Sequence, residues 1–281
     1  MRNPKLICPF SKKTIGFFDN GQFVYENHSS VLSSGFKTIE GVPNMRGGLD
    51  EEEKINFLEE AQLLPRQDSY DLNIPLIREA LSSNEFVLEL GAGVDKCDNP
   101  KLIKTDAYLY STDLHCIADA HSLPFEDDTF GYVYSLAVFE HLHSPWIAAE
   151  EIYRVLKPGG KVFTLTAFMQ HLHGYPNHFF NMTTSGLKRV FNSFEVVHCK
   201  PSKHSNISQL GHILADLNQF IVDSNFKQST QKKFLELRES IGDFCNLIAE
   251  LDIEIMGNFE AQLTSFSKFC PAVELVGIKK A

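Results

Sequence analysis

The run Phe86-Val87-Leu88-Glu89-Leu90, followed at once by Gly91-Ala92-Gly93, constrains this chain more than any other stretch. A short, nearly continuous apolar run predicts a strand covered on both faces, which means a parallel sheet flanked by helices. The glycines at its carboxyl end let the backbone approach a ligand closely, so a side chain at Gly91 would stand where the ligand passes. Glu89 lies near that turn, where it can meet a cationic amine. A strand ending in two such glycines also fits dinucleotide binding. The third glycine of that fingerprint is absent, because position 96 is Lys96, and no pyrophosphate cradle is evident.

From this point strands and helices alternate. Leu102-Ile103-Lys104-Thr105 ends in Asp106, and His115-Cys116-Ile117-Ala118 ends in Asp119. Tyr132 to Leu136 is a fourth apolar run, Lys161 to Thr166 a fifth, and Phe194 to His198 and Ala272 to Ile278 are two more. Ile147, Ala148, Ile152 and Val155 recur at helical spacing over about Pro145 to Leu156, and Lys157-Pro158-Gly159-Gly160 stops that helix. The alternation predicts an open, mainly parallel sheet whose carboxyl edge holds the ligand. At that edge Asp106 can accept hydrogen bonds from two ribose hydroxyls, and Asp119 can accept one from an adenine amino group. Only 12 residues separate Gly93 from Asp106, and 12 separate Asp106 from Asp119. A full crossover helix needs about ten residues or more besides its loops. The helices after the first two strands are therefore short or missing, and the ligand mouth is open or closed by other parts of the chain.

Ahead of this block, the chain to about Arg46 reads as short strands and turns. Asn20-Gly21 marks a hairpin, and Gly41-Val42-Pro43-Asn44 closes the segment. Asp50 to Glu53 suits the start of a helix carrying Ile55, Leu58, Ala61 and Leu63, and Asp71 opens another carrying Leu76, Ile77, Ala80 and Leu81. Before the last strand, residues 206–266 read as a helical insertion with stripes such as Leu210, Ile213, Leu214 and Leu217. Such stripes serve core packing, a lid over the site, or a homodimer interface.

Composition removes several classes. The net charge of −10 disfavours bulk nucleic-acid binding, and the basic cluster Lys188, Arg189, Lys200 and Lys203 reads as solvated surface. No apolar run is long enough for a membrane span, and the N-terminus lacks a signal-peptide pattern, so a cytoplasmic protein is expected. The six cysteines form no CxxC pair and read as reduced, inert thiols.

Several linked motifs over Glu85 to Gly160 resemble class I S-adenosylmethionine-dependent methyltransferases, in particular a bacterial branch. They are Val87 to Gly93, Ala118-Asp119-Ala120-His121-Ser122-Leu123-Pro124-Phe125, Asp127-Asp128-Thr129-Phe130-Gly131, Phe139-Glu140-His141 and Arg154 to Gly160. The resemblance implies an α/β fold, a Rossmann-like seven-stranded sandwich with the last strand antiparallel, and S-adenosyl-L-methionine as cofactor. It implies that Glu89, Gly91 and Gly93 hold the methionine end, that Asp106 holds the ribose, and that Asp119, Ala120 and Leu123 surround the adenine. Ser135 to Glu140 would lie beside the methyl group. Residues 1–48 resemble a small zinc-ribbon-like module, matched by Leu6-Ile7-Cys8-Pro9, Gly16, the Asn20-Gly21 turn and Gly41-Val42-Pro43. The module's pattern has two Cys pairs, whereas this chain keeps Cys8 and has Ser11, so no metal is expected there. Residues 49–281 then form the methyltransferase domain.

Six of the eleven histidines fall between His121 and His178. His171, His173 and His178 follow the fifth strand, where acceptors bind in the resembled family, and a neutral imidazole is a suitable general base for a hydroxyl. His173, His178 and, with a weaker claim, His141 are the catalytic candidates; His141 also suits a strand-to-helix cap. No carboxylate sits among the three at ligand spacing, so no metal site is read from them. The expectation is a methyltransferase acting on a small-molecule or glycan acceptor, at oxygen first and nitrogen second. A nicotinamide-dependent oxidoreductase and a non-catalytic scaffold of the same fold are the alternatives.

Overall fold

The computed structural model describes residues 3–7, 14–19, 22–25, 37–46, 74–94, 99–170, 172–173, 177–202 and 272–280, together with Lys232. Cys8, Cys97, Cys245 and Cys270, His171, Lys96, the helix expected after Asp50 and the insertion expected over 206–266, Lys232 apart, lie outside these residues. No helix among the described residues is long and apolar enough to cross a membrane.

Three strands open the chain: β1 (Lys5–Ile7), β2 (Thr14–Asp19) and β3 (Gln22–Tyr25), paired antiparallel in one small sheet. The pairing of Asp19 with Gln22 is the hairpin register that Asn20-Gly21 predicts. β4 (Lys37–Ile39) and β5 (Val42–Asn44) follow, then helix α1 (Pro75–Ser82). The α/β block comprises β6 (Val87–Leu90), β7 (Leu102–Asp106), β8 (Cys116–Ile117), β9 (Phe130–Leu136), helix α2 (Pro145–Val155), β10 (Leu156–Ala167), helix α3 (Thr184–Val190), β11 (Glu195–Pro201) and β12 (Ala272–Ile278).

The large sheet has the order β11-β12-β10-β9-β6-β7-β8-β5-β4. β6 runs parallel to both β7 and β9, and β10 runs parallel to β9. β12 is antiparallel to both of its neighbours. The seven strands from β11 to β8 thus form a Rossmann-like sheet with the last strand reversed. Residues 107–115 hold no helix, in keeping with the short spacing between Asp106 and Asp119.

Side-chain alternation divides the core between the two faces of this sheet. Val87, Tyr134, Phe163, Leu165 and Val276 pack with Ile77 and Ala80 of α1. Leu88, Leu90, Val133, Val162 and Leu275 pack with Ala148, Ile152 and Val155 of α2 and with Leu187 of α3. Both faces are covered, so the strands read as apolar runs rather than as alternating ones. Among the cysteines, Cys116 is buried within this core and burial pushes its thiol up, which fits an inert packing residue.

Two details depart from the sequence expectation. The fifth strand begins at Leu156, directly after α2, and its pairing with β9 shifts register between Leu156 and Lys161, so Pro158-Gly159-Gly160 forms an irregularity inside the strand. The N-terminal strands are also joined to the rest. β5 pairs parallel with β8 through Asn44 and Ile117, Ile7 N donates to Pro124 O at 2.8 Å, and Leu6, Ile15 and Met45 belong to the core on the α2 face.

Arg154 ties α2 to the segment leading into β9. Its guanidinium donates to the carbonyls of Leu123 and Phe125 at 2.9 and 2.7 Å, to both Glu151 oxygens and to Asp127. Glu151 in turn accepts from Leu123 N at 2.8 Å. Arg154→Ala leaves two main-chain carbonyls and a half-buried carboxylate without these donors. It is expected to cost about 2–3 kcal/mol, read as a lower urea midpoint with an unchanged m-value.

Candidate functional site

The strand order reverses between β6 and β9, and a cleft of about 440 Å³ opens at the carboxyl ends of the strands beside that point. Each neighbouring strand sends a short segment into it. Leu90, Gly91 and Gly93 follow β6; Asp106, Ala107, Tyr108 and Tyr110 follow β7; Ala118 to His121 follow β8. Ala137, Val138 and His141 to His143 follow β9.

The glycine turn is held from the next strand. Gly91 N and Ala92 N both donate to Thr105 O, at 2.8 and 3.0 Å. Gly91 and Gly93 have φ of +76° and +54°, a region open to glycine at little cost. A Cβ built on Gly91 would lie 2.3 Å from Val138 Cγ2. The obstacle that Gly91 avoids is therefore the loop after β9, which corrects the expectation that a side chain there meets the ligand first. Ala137, beside that loop, takes a φ of +53° without being glycine, a strained backbone at the mouth.

Asp106 is buried, and both of its oxygens are engaged. Oδ2 accepts from Gly93 N at 2.9 Å, and Oδ1 accepts from Tyr108 N at 3.0 Å. Burial pushes its carboxyl up to about 6, against the opposing pull of the Tyr108, Gly93 and Ala107 amides and the Arg46 charge. Asp119 is more open. Burial pushes its carboxyl up too, but hydrogen bonds from the His121 ring and amide, with the nearby His121 and Arg46, outweigh it and hold the group below its ordinary value. Both bonds fall on Oδ1, at 2.6 Å from the ring nitrogen and 2.9 Å from the amide. The His121 ring stacks on His143 with centroids 4.1 Å apart, and its Nε2 accepts from Ser144 N at 3.3 Å. The Asp119 carboxylate is thereby fixed in direction.

Some residues of the wall were not singled out from sequence. Arg46 reaches the cleft from the N-terminal segment, donating to Ala107 O at 3.0 Å and lying 5.0 Å from the centroid of the Tyr108 ring. Nothing in its local sequence marks it; the pairing of β5 with β8 brings it there. Tyr108 and Tyr110 pack edge to face at 6.1 Å in the loop where a helix is missing, and the two aromatics so close after Asp106 were the available signal.

At the far end of the cleft lie His141, His143, Asn177 and Phe179. His141 sits in the 3-10 turn Phe139–His141. Its Nδ1 lies 2.8 Å from Asn177 O, and since a carbonyl only accepts, Nδ1 carries a proton, which in the neutral ring leaves the lone pair on Nε2. His173 and His178 do not line the cleft but pack behind His141, with ring centroids 5.3 and 5.7 Å from it. His178 accepts from His173 N at 3.4 Å and donates to Phe180 O at 3.2 Å, so both its nitrogens are occupied by backbone.

Of the residues assigned to the cofactor by sequence, Gly91, Gly93, Asp106, Asp119 and Ala120 line the cleft. Four others stand behind its wall. Glu89 is buried in β6, in register with Lys104 and Tyr134 on its neighbours. Ser135 is buried and donates to Thr164 Oγ1 at 2.9 Å. Glu140 is fully buried, and its Oε2 accepts from Thr166 Oγ1 at 2.8 Å. Leu123 is buried on the other side of the 118–125 segment, against Glu151 and Arg154. The strand ends were correctly located, but which face each side chain takes depends on register.

The fold and cleft define a Rossmann-like sheet with a nucleoside-sized crevice at its switch point. Residues 87–164 match a family model described as a methyltransferase domain. A 130-residue stretch is 31% identical to the ubiquinone/menaquinone biosynthesis C-methyltransferase UbiE of Ruegeria sp. (strain TM1040), covering 44% of this chain and 43% of that protein, so the match spans less than half of the relative's length. Similar solved structures include phosphoethanolamine N-methyltransferase 2 of Haemonchus contortus in complex with S-adenosyl-L-methionine (13% identity, 73% of this chain, 52% of that one, TM-score 0.40). A SAM-dependent methyltransferase from Aquifex aeolicus is another (16% identity, 50% of this chain, 90% of that one, TM-score 0.40).

Gly91→Ala combines left-handed backbone with the contact to Val138 and is expected to lower stability by about 2–3 kcal/mol. In a double-mutant cycle by urea denaturation, Val138→Ala should recover part of that loss while leaving the backbone cost.

Proposed function

We propose that this chain is an S-adenosylmethionine-dependent methyltransferase that methylates a small-molecule or glycan acceptor at an oxygen. The observation that carries the reading is the pair of carboxylates, Asp106 and Asp119, directed with a positive-φ glycine turn into one cleft at the switch point of the sheet. The matched methyltransferase model spans this region.

The residues present fit the cofactor. The glycines leave backbone at the turn instead of side chains, the two carboxylates are acceptors for ribose hydroxyls and an adenine amino group, and about 440 Å³ is within the usual range for such ligands. When bound, S-adenosylmethionine supplies an electrophilic methyl on a sulfonium, transferred as the acceptor's lone pair forms the new bond and the sulfur keeps the electrons of the old one. The protein's own part is to align the acceptor with that methyl. Glu89 is the carboxyl behind the turn on the side assigned to the methionine ammonium. Ala120 and the Tyr108 and Tyr110 rings give flat apolar wall beside the nucleoside. At the acceptor end, His141 Nε2 is the lone pair available to hold a hydroxyl and take its proton. His178 acts on the position of His173 rather than on the acceptor, because its nitrogens are committed to backbone.

Calorimetric titration with S-adenosylhomocysteine tests the cofactor half. Asp119→Ala should weaken binding by about 10- to 100-fold with little change in stability, since Asp119 is partly exposed; unchanged affinity would overturn the assignment. A second outcome follows from Asp106. Ribose hydroxyls donate to its ionised form, so binding draws its pKa below the value of about 6 in the free protein and releases a proton. Affinity should therefore fall as pH drops below about 6, by up to about tenfold per pH unit, and Asp106→Asn should abolish that dependence.

A further inference from the structure

Glu140 is fully buried, and while its Oε2 accepts from Thr166, its Oε1 meets no hydrogen-bond donor among the described residues. A buried oxygen left so calls for a partner. What lies beside it is specific. One carboxylate oxygen of Glu140, one ring nitrogen of His141 and one of His173 all lie within 4.8 Å of one another.

We propose that Glu140, His141 and His173 form a binding site for a divalent first-row transition ion of the Zn²⁺ type at the acceptor end of the cleft, with positions left open for an acceptor oxygen. Two imidazoles and one carboxylate are a donor set that suits Zn²⁺, Co²⁺ or Fe²⁺ rather than Mg²⁺ or Ca²⁺. Three protein ligands leave a fourth position free, as in catalytic rather than structural sites. Donors on a tetrahedral ion with bonds of about 2.0 Å stand roughly 3.3 Å apart, so small side-chain rotations close this shell.

The surroundings orient the donors as ligands require. A metal-bound imidazole usually donates its other N–H to a carbonyl or carboxylate. His141 does this through Nδ1 to Asn177 O, which turns its Nε2 lone pair outward. Glu140 has the equivalent support in the Thr166 hydroxyl. His173 is set by its backbone, which donates to His178 Nδ1, while His178 is locked by Phe180 O. The segment itself is pinned by Phe179 N and Phe180 N, which donate to Glu140 O at 2.7 and 3.2 Å. Each ligand thus has its own tether. The carboxylate missing from the sequence reading of the histidines is supplied across the fold, 33 positions before His173.

His141 also lines the cleft, so the ion would face the acceptor rather than the solvent side of the protein. Coordination of a hydroxyl oxygen there would make it a better nucleophile at neutral pH. The ion would then hold the hydroxyl oxygen in place of His141 Nε2, and the hydroxyl proton, made more acidic by coordination, would pass to solvent water at the cleft mouth before methyl transfer. The inference rests on the methyl-transfer reading only for what fills the open position.

The test uses untagged, full-length protein stripped with a chelator and titrated with Co²⁺, followed by its visible spectrum, with S-adenosylhomocysteine affinity measured in parallel. Wild type should take up about one Co²⁺ per chain with the spectrum of imidazole and carboxylate ligands. Glu140→Gln and His173→Ala should each weaken uptake by more than about 100-fold, and His178→Ala by about 10-fold, as expected for loss of a ligand and of a tether. His173→Ala should keep its S-adenosylhomocysteine affinity, since His173 does not line the cleft. Absence of Co²⁺ uptake in wild type, or uptake unchanged in both ligand variants, would overturn the metal site. Failure of wild type to bind S-adenosylhomocysteine would instead overturn the methyltransferase reading.

Discussion

The carboxyl edge of the large sheet depends on one carboxylate. Asp106 accepts from Gly93 on one oxygen and from Tyr108 on the other, joining the turn after β6 to the loop after β7. In a doubly wound sheet the conformation of such loops is usually set by the helices that follow the strands. Here residues 107–115 contain no helix, so the side chain does what a helix terminus would otherwise do. Its oxygens are engaged by main-chain amides, and burial still raises its pKa to about 6. The same group that shapes the cleft is the one to which the proposed function assigns the ribose hydroxyls.

The shortened crossovers leave a side of the sheet that the N-terminal segment covers. β5 adds to β8, Met45 N donates to Ile117 O at 2.7 Å, and Arg46 then crosses to Ala107 O and the Tyr108 ring. Arg46 also acts electrostatically on both Asp106 and Asp119. A segment whose motifs resemble a metal ribbon thus brings a cation to the cleft beside Asp106 and Asp119, through strand pairing.

The inner strands of the block were legible because they are buried on both faces and read as apolar runs, whereas β11 at the edge has no fully buried residue. Leu102 to Asp106 and Ala272 to Ile278 have the same bounds in the sequence and in the fold. The cleft-lining members Gly91, Gly93, Asp106, Asp119 and Ala120 were legible because strand ends are where glycine and aspartate interrupt such runs. Ser135 and Leu123 do not line the cleft: Ser135 lies within β9 opposite Leu90 and Thr164, and Leu123 is buried in the core on the α2 face. Arg46 and the approach of Glu140 to His173 were not legible at all. Both are contacts between segments far apart in the chain, and neither leaves a spacing pattern to read.

The proposed function places the cofactor nucleoside in one cleft built from five strand ends, β5 included. Hydrogen–deuterium exchange with and without S-adenosylhomocysteine addresses it directly. The account predicts added protection in residues 91–94, 106–110, 118–121 and 137–143, and also in 44–46, which only this closure brings to the ligand. Protection confined to other segments, or full protection of the first four with none at 44–46, would contradict it.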